Sequence, residues 1–382
     1  MFIERTDQSL IARWWWTVDK ITLGAILLLM GMGLFIISSA SLPEAARNGL
    51  EPFYYFKRHL LFALAGLSIL VSLSIVPPEK LGKVALWGFV AALALVLCTL
   101  AFGATRNGAQ RWMSIAGFSL QPSELLKPFF VVVTAYVLAQ RFSRPTMRVL
   151  QLSILLLTAT IIPLVMQPDI SQALMLSLIW MALILLAGYS IWFFAALGVS
   201  TLAGLSAAYM SFPHVAKRID TFLMPNFDPY SQVGISIRAF MNGGVFGRGM
   251  NEGQLKGALA DSYADFVFAA VGEELGFFIS ALLLLLFAVI LLRGMARMLH
   301  EDNAFNFLAA SGLLMLFGLQ ALLNMMVSLG ISPATGVTLP FVSYGGSALI
   351  GMAIVMGFVL AFTRRIHFST GLRVYRRRSE RP

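Results

Sequence analysis

Runs of about 20 consecutive apolar residues recur along almost the whole chain, and a run that long is what a helix needs to cross the hydrocarbon of a bilayer. Walking the sequence on that rule gives about ten spans, near 21–40, 60–76, 84–103, 125–141, 149–166, 170–189, 191–211, 266–292, 306–330 and 345–363. Only 12% of the 382 residues are charged, against roughly a quarter in an average soluble domain. No polar stretch is long enough to fold as a soluble domain. The expected architecture is an all-α, polytopic membrane protein: a segment 1–20, a membrane domain 21–363 with one long outer loop at 211–264, and a basic tail 364–382.

Lysine and arginine set the orientation, because they concentrate on the cytoplasmic side. An even number of spans puts both termini on one face. That face holds the N-terminal basic residues, Lys80 and Lys83, Arg141 to Arg148, Arg293, Arg297 and the tail, 17 of the 28 basic residues. Both termini are therefore expected in the cytoplasm. The net charge of +10 does not point to nucleic acid, since seven arginines fall between Arg364 and Arg381 beside a span. Such a cluster reads as an anchor on anionic membrane lipid. The lone Cys98 allows no internal disulfide, and the four histidines are too scattered for a histidine metal site.

Four segments break the apolar pattern in ways that bear on chemistry. Asn107–Trp112 is followed by Gln121-Pro-Ser-Glu-Leu-Leu-Lys127, in which Glu124 and Lys127 are three apart and share one helix face. Ionisable residues inside a membrane are costly and mark functional sites, though an ion pair there also serves structure. Gln167-Pro-Asp169 lies between two spans, where Asp169 is read as a helix cap. The long loop holds a run at Tyr230–Met241 that suits an interfacial helix, then a glycine-rich stretch, Gly243 to Gly253, ending near Lys256. It leads into Asp261-Ser-Tyr-Ala-Asp265 and Val271-Gly-Glu-Glu-Leu-Gly276. Asp265, where the loop enters a span, is a credible general base; a helix-terminal acid favoured by the macrodipole is the plainer alternative. Last comes Ser332 to Ser347, rich in proline, glycine and hydroxyls, irregular backbone of the kind that survives at membrane depth only when buried or lining a cavity.

Among the outward basic residues, Arg111, Lys127, Arg238, Arg248 and Lys256 fall in these unusual segments. Arginine and lysine bind phosphate oxygens well, so a diphosphate arriving from the lipid is the anionic ligand they suit. Glu273 and Glu274 lie eight and nine residues beyond Asp265, about 12 to 13 Å along a helix, too far to pair with it across one sugar as in a glycosidase.

The run Thr338-Leu-Pro-Phe-Val-Ser-Tyr-Gly-Gly-Ser347 resembles the signature of the SEDS proteins (shape, elongation, division and sporulation), and the other segments resemble that family's blocks in the same order, across essentially all ten spans. The resemblance implies a peptidoglycan glycosyltransferase that uses lipid II and works with a class B penicillin-binding transpeptidase and other divisome proteins in the bacterial inner membrane. The family's essential acid falls on Asp265, and its acid–base pair on Glu124 and Lys127. Val337–Pro340 looks closer to the family's division-type members, which implies work at the septum. The chain departs from the pattern at Tyr263-Ala264, where His-Thr is frequent, and at Ser171-Gln172, where Gly-Thr is usual.

The expected mechanism is attack of a lipid II hydroxyl, deprotonated by Asp265, on undecaprenyl-diphosphate-linked glycan, with inversion. Arg111, Lys127, Arg238 and Lys256 are the candidate diphosphate-binding cations, and Glu124 and Ser343 complete the substrate-binding set. No cofactor is required, although a Mg²⁺ bridged to the diphosphate needs few protein ligands and stays open. A lipid II flippase is the alternative from another class, but no internal repeat of the transporter kind is evident. A non-catalytic divisome scaffold would leave the intramembrane acids without a purpose.

Overall fold

A computed structural model describes residues 9–106, 109–115, 117–144, 147–223, 231–259 and 261–364. The N-terminal residues 1–8, Asn107, Gly108 and all of the basic tail beyond Arg364 lie outside that set. A short α1 (Leu10–Thr17) precedes α2 (Lys20–Ala40), α3 (Leu42–Arg47), α4 (Tyr54–Ile75) and α5 (Pro78–Phe102). Then come α6 (Pro122–Ser143), α7 (Val149–Met166), α8 (Ile170–Leu186) and α9 (Ile191–Ser211). Two helices of the outer loop follow, α10 (Pro213–Leu223) and α11 (Gln232–Gly243), before α12 (Val267–Met298), α13 (Ala304–Ser328) and α14 (Gly346–Phe362).

Among the described residues, eight helices are long and apolar enough to cross a membrane: α2, α4, α5, α6, α7, α9, α12 and α13. The two remaining expected spans are the apolar helices α8 and α14, 17 residues each. The helical expectation needs one addition, between α5 and α6. There three short strands, β1 (Ala104–Arg106), β2 (Ala109–Ile115) and β3 (Phe118–Leu120), form an antiparallel sheet. Gly117, at φ +79°, makes the tight reversal that pairs Ile115 with Phe118.

The core is built on α14, which is buried along almost its full length and packs against α4, α6 and α13. Small residues permit this closeness, as expected where helices pack in lipid. A Cβ at Gly351 would sit 2.6 Å from the Glu124 carbonyl oxygen, and one at Gly357 would sit 2.9 Å from the Leu73 Cβ.

The outer loop is ordered by α12. That helix breaks at Gly276, whose φ of 76° and ψ of −172° are open only to glycine. The glycine-rich loop docks against the break. Arg248 and Gly249 donate their N–H groups to the Glu273 and Glu274 carbonyls at 2.9 and 3.0 Å, and Phe277 donates to the Gly244 carbonyl at 3.0 Å. A Cβ at Gly243 would meet the Gly272 oxygen at 1.9 Å, so loop and helix touch backbone to backbone.

The carboxylates of the same two glutamates finish the anchoring. Glu273 accepts from Asn242 Nδ2 and from the backbone N–H groups of Gln254, Leu255 and Lys256, all at 2.9–3.0 Å. Glu274 accepts from Ser39 Oγ, the Asn251 N–H and Lys256 Nζ. Gly276→Ala should therefore destabilise the fold by about 1–3 kcal/mol through strain and overpacking, read as a lowered melting temperature in detergent. Gly24→Ala on α2, where nothing lies within 4 Å of the new Cβ, should leave it unchanged.

Candidate functional site

Asp265 sits in the turn that delivers the chain into α12. Asp261, at φ +54°, starts the turn, and its carbonyl accepts from the Ala264 and Phe266 N–H groups. Three consecutive carbonyls are then fixed from outside. The Tyr344 N–H donates to Tyr263 O at 2.8 Å, Ser343 Oγ to Ala264 O at 2.6 Å, and Asn324 Nδ2 to Asp265 O at 2.9 Å. Asn324, buried on α13, also donates to Val337 O at 2.8 Å. A backbone held on three successive residues leaves the Asp265 side chain little freedom of approach, the kind of preorganisation a catalytic acid or base needs.

The Asp265 carboxylate borders a cavity of about 320 Å³. Glu124 and Asp261 are its other acids, Arg58 its cation, and Trp112, Tyr263 and Tyr344 its large aromatic walls. Arg58, on the first turns of α4, places its guanidinium 4.8 Å from the Phe118 ring centre and 5.1 Å from that of Tyr54, and it donates to Gly117 O. The β2–β3 hairpin thus folds over the cavity and fixes the cation. Tyr263 packs against Tyr55 and Tyr344 at 4.8 and 5.3 Å between ring centres. Burial, Tyr55 and the charges of Asp261 and Glu44 push its hydroxyl above the ordinary phenol range, so at neutral pH it is an uncharged donor.

Behind Glu124 runs a buried polar chain. Lys127 Nζ lies 2.8 Å from Glu124 Oε2 and donates to Gln320 Oε1 at 2.8 Å. Gln172 Nε2 donates to Glu124 Oε1 at 2.8 Å, and Gln320 Nε2 reaches the Thr338 carbonyl at 3.2 Å. Gln172, which stands where the family pattern has threonine, is thus a member of the site. Lys127 is fully buried and acts on the cavity through Glu124.

Asp169 stands at the N-cap of α8, as expected, facing the Gln172 backbone N–H of that helix's first turn. Its carboxylate also pairs with Arg111 at 3.3 Å and accepts from Gln121 at 3.3 Å. Arg111 is also held by the Gln167 and Pro168 carbonyls and borders an adjoining, mostly apolar pocket of about 200 Å³.

Three of the expected substrate-binding residues occupy other positions. Lys256 Nζ is buried against Glu274 and Ser39 and belongs to the loop anchor. Ser343 is buried, with its Oγ donating to Ala264 O and accepting from the Leu339 N–H, so it holds the Asp265 turn and does not line the cavity. Arg238 is half-buried on α11, which packs on α12, and is not part of the cavity wall. Arg248 donates to Asn242 O at 2.9 Å. Conversely, sequence reasoning missed Arg58, whose only signal was the Lys57-Arg58-His59 run at the outer end of the second span.

A multi-pass membrane protein with Asp265 held at a polar, aromatic-walled cavity is the class that fold and site define. The cell cycle protein family FtsW/RodA/SpoVE matches residues 20–367, and the chain belongs to it. A relative from Caulobacter vibrioides, named probable peptidoglycan glycosyltransferase FtsW, is 35% identical over 363 residues, 94% of this chain and 93% of its own. A chain of a solved peptidoglycan synthase complex, described as coordinating polymerization and crosslinking, superposes with a TM-score of 0.74 at 26% identity, covering 91% of this chain and 97% of that one. The rod shape determining protein RodA of Thermus thermophilus gives 0.68 at 25% identity over the same shares.

Removing one partner of a buried ion pair costs about 3–5 kcal/mol, because the other charge is left bare. Lys127→Met should thus lower thermal stability sharply, and adding Glu124→Gln should recover much of the loss in the same melting assay. Ser343→Ala should reduce kcat with little change in KM, checked by steady-state polymerisation kinetics, because it loosens the turn and not the substrate.

Proposed function

We infer that the chain is a peptidoglycan glycosyltransferase that polymerises lipid II into glycan strands during septal wall synthesis in the bacterial inner membrane, with both termini in the cytoplasm. The observation that carries this reading is Asp265, fixed by three carbonyl hydrogen bonds at a cavity that also holds Arg58. The glycosyltransferase name of the Caulobacter relative supports the activity.

The growing glycan, attached to undecaprenyl diphosphate, is the donor, and lipid II is the acceptor. Asp265 takes the proton from an acceptor hydroxyl as that oxygen attacks the anomeric carbon. The bond to the diphosphate breaks, and its electron pair leaves with the phosphate oxygen. Attack from the opposite face turns an α-linked donor into a β-linked product. Positioned cations stabilise the charge that develops on the leaving group. Arg58 does this in the cavity, and Arg111 from the adjoining pocket, whose apolar wall suits a polyprenyl chain. Lys127 contributes through Glu124, while Lys256 holds, and Arg238 flanks, the loop docked on α12.

Asp265, Asp261 and Glu124 are hard oxygen donors of the type Mg²⁺ accepts. No group of three acidic, histidine or cysteine side chains converges among the described residues. An ion would therefore ride on the diphosphate, with one or two of these carboxylates as ligands. Likeness to a chain of a complex that couples polymerization to crosslinking supports a class B penicillin-binding transpeptidase as partner.

Labelled lipid II incubated with the purified chain and its cognate transpeptidase should yield long glycan. Asp265→Asn should lower that rate by about 10²- to 10⁴-fold, the usual worth of a general base, with the melting temperature preserved. Loss of folded protein in parallel with activity would make the acid structural. Headgroup translocation without polymer would overturn the reading.

A further inference from the structure

At the end of α6 opposite Glu124, about 25 Å along the helix at 1.5 Å per residue, lies a second charged cavity that the reaction does not use. It measures about 350 Å³ and gathers Arg141, Arg144 and Arg148 with Tyr189 and Gln151. We propose that this cavity binds the phosphate headgroup of an anionic glycerophospholipid, from the leaflet on the face opposite the catalytic cavity.

The three arginines arrive there by fold, not by chance exposure. Arg141 lies in the last turn of α6, Arg144 is its C-cap and Arg148 precedes α7, while Tyr189 comes from the link between α8 and α9. Arg141 is locked in place, donating to the Ala187 carbonyl at 2.9 Å and lying 4.1 Å from the centre of the Tyr189 ring. None of the three forms an ion pair with an acid among the described residues. The reason lies in the sequence, which has no Asp or Glu from Leu125 to Pro168 or from Ile170 to Ile219. Three positive charges thus converge on one cavity, and the only acid on the helix they close, Glu124, lies at its far end, paired with Lys127.

The surroundings identify the anion's carrier. Met147, Val149 and Leu150 give the cavity an apolar side, and Phe142 and Leu152 are exposed beside it, as suits residues facing lipid. Tyrosine is at home where headgroups begin. Charge and apolar wall together fit an amphiphile whose phosphate meets guanidinium groups while its acyl chains stay in the bilayer. Basic pockets between membrane helices recognise anionic headgroups in this way.

The test uses the full chain in nanodiscs of equal phosphatidylcholine and phosphatidylglycerol, with retained lipid read by native mass spectrometry after release. Wild type should keep phosphatidylglycerol selectively. Arg144→Gln/Arg148→Gln, two exposed positions outside the catalytic cavity, should keep it about tenfold less well. Lys80→Gln/Lys83→Gln, which removes the same charge outside this cavity, should behave as wild type. Equal retention in the arginine variant and wild type would overturn the site. An equal loss in the lysine variant would reduce the effect to diffuse surface charge and overturn it too. Displacement by millimolar glycerol 3-phosphate would overturn a lipid in favour of a soluble phosphate ester.

Discussion

The carboxylates of Glu273 and Glu274 are the constraint on which the outer half of the molecule depends. Both are buried, and a buried carboxylate is tolerated only when its oxygens are hydrogen-bonded or ion-paired. Every donor they use, apart from Ser39, comes from the segment between Asn242 and Lys256. The loop is therefore not an appendage on a finished membrane domain. Without it α12 would hold two bare charges beside a break in its own ladder. The same helix begins two residues after Asp265, so the anchoring of the loop and the placement of the acid are one structural problem.

The fate of the cations shows how a polar site is built in a protein with so little water inside. Lys127, Lys256 and Arg111 each face an intramolecular acid, Glu124, Glu274 and Asp169 respectively. Pairing lowers the cost of burying them, and it also fixes them, since neither partner can turn away without exposing the other. Arg58 differs, being held by aromatic rings and a carbonyl and bordering the cavity itself. A fixed cation beside a fixed acid needs no rearrangement when charge develops between them.

The membrane helices were legible because hydrocarbon thickness imposes a length on each apolar run. The sheet at 104–120 was not, because strands of three and seven residues leave too short an alternation to stand out. In the loop, α11 was foreshadowed by the run at Tyr230–Met241, whereas α10, opened by Pro213 and amphipathic through Val215 and Ile219, was not anticipated. Asp265 stood out in the sequence because it lies where the long loop enters a span. Lys256 and Ser343 were misplaced for the opposite reason. Their residue types suit a ligand, but the groups that absorb their hydrogen bonds, Glu274 and the Ala264 carbonyl, are 18 and 79 residues away. The pairing of Asp169 with Arg111 was hidden likewise, since Arg111 lies 58 positions earlier in the chain.

The burial of α14 has a consequence for how the protein is made. Domains form from the N-terminus onward as the ribosome delivers them, yet the helix at the centre of this one follows the other nine apolar helices in the chain. Until it inserts, α4 and α6 have no partner for the faces that receive Leu349 and Gly351. The Asp265 turn also waits, because Ser343 and Tyr344 emerge just ahead of the same helix. A nascent chain stalled before α14 would hold the helices that precede it, but neither the closed core nor the fixed Asp265 turn.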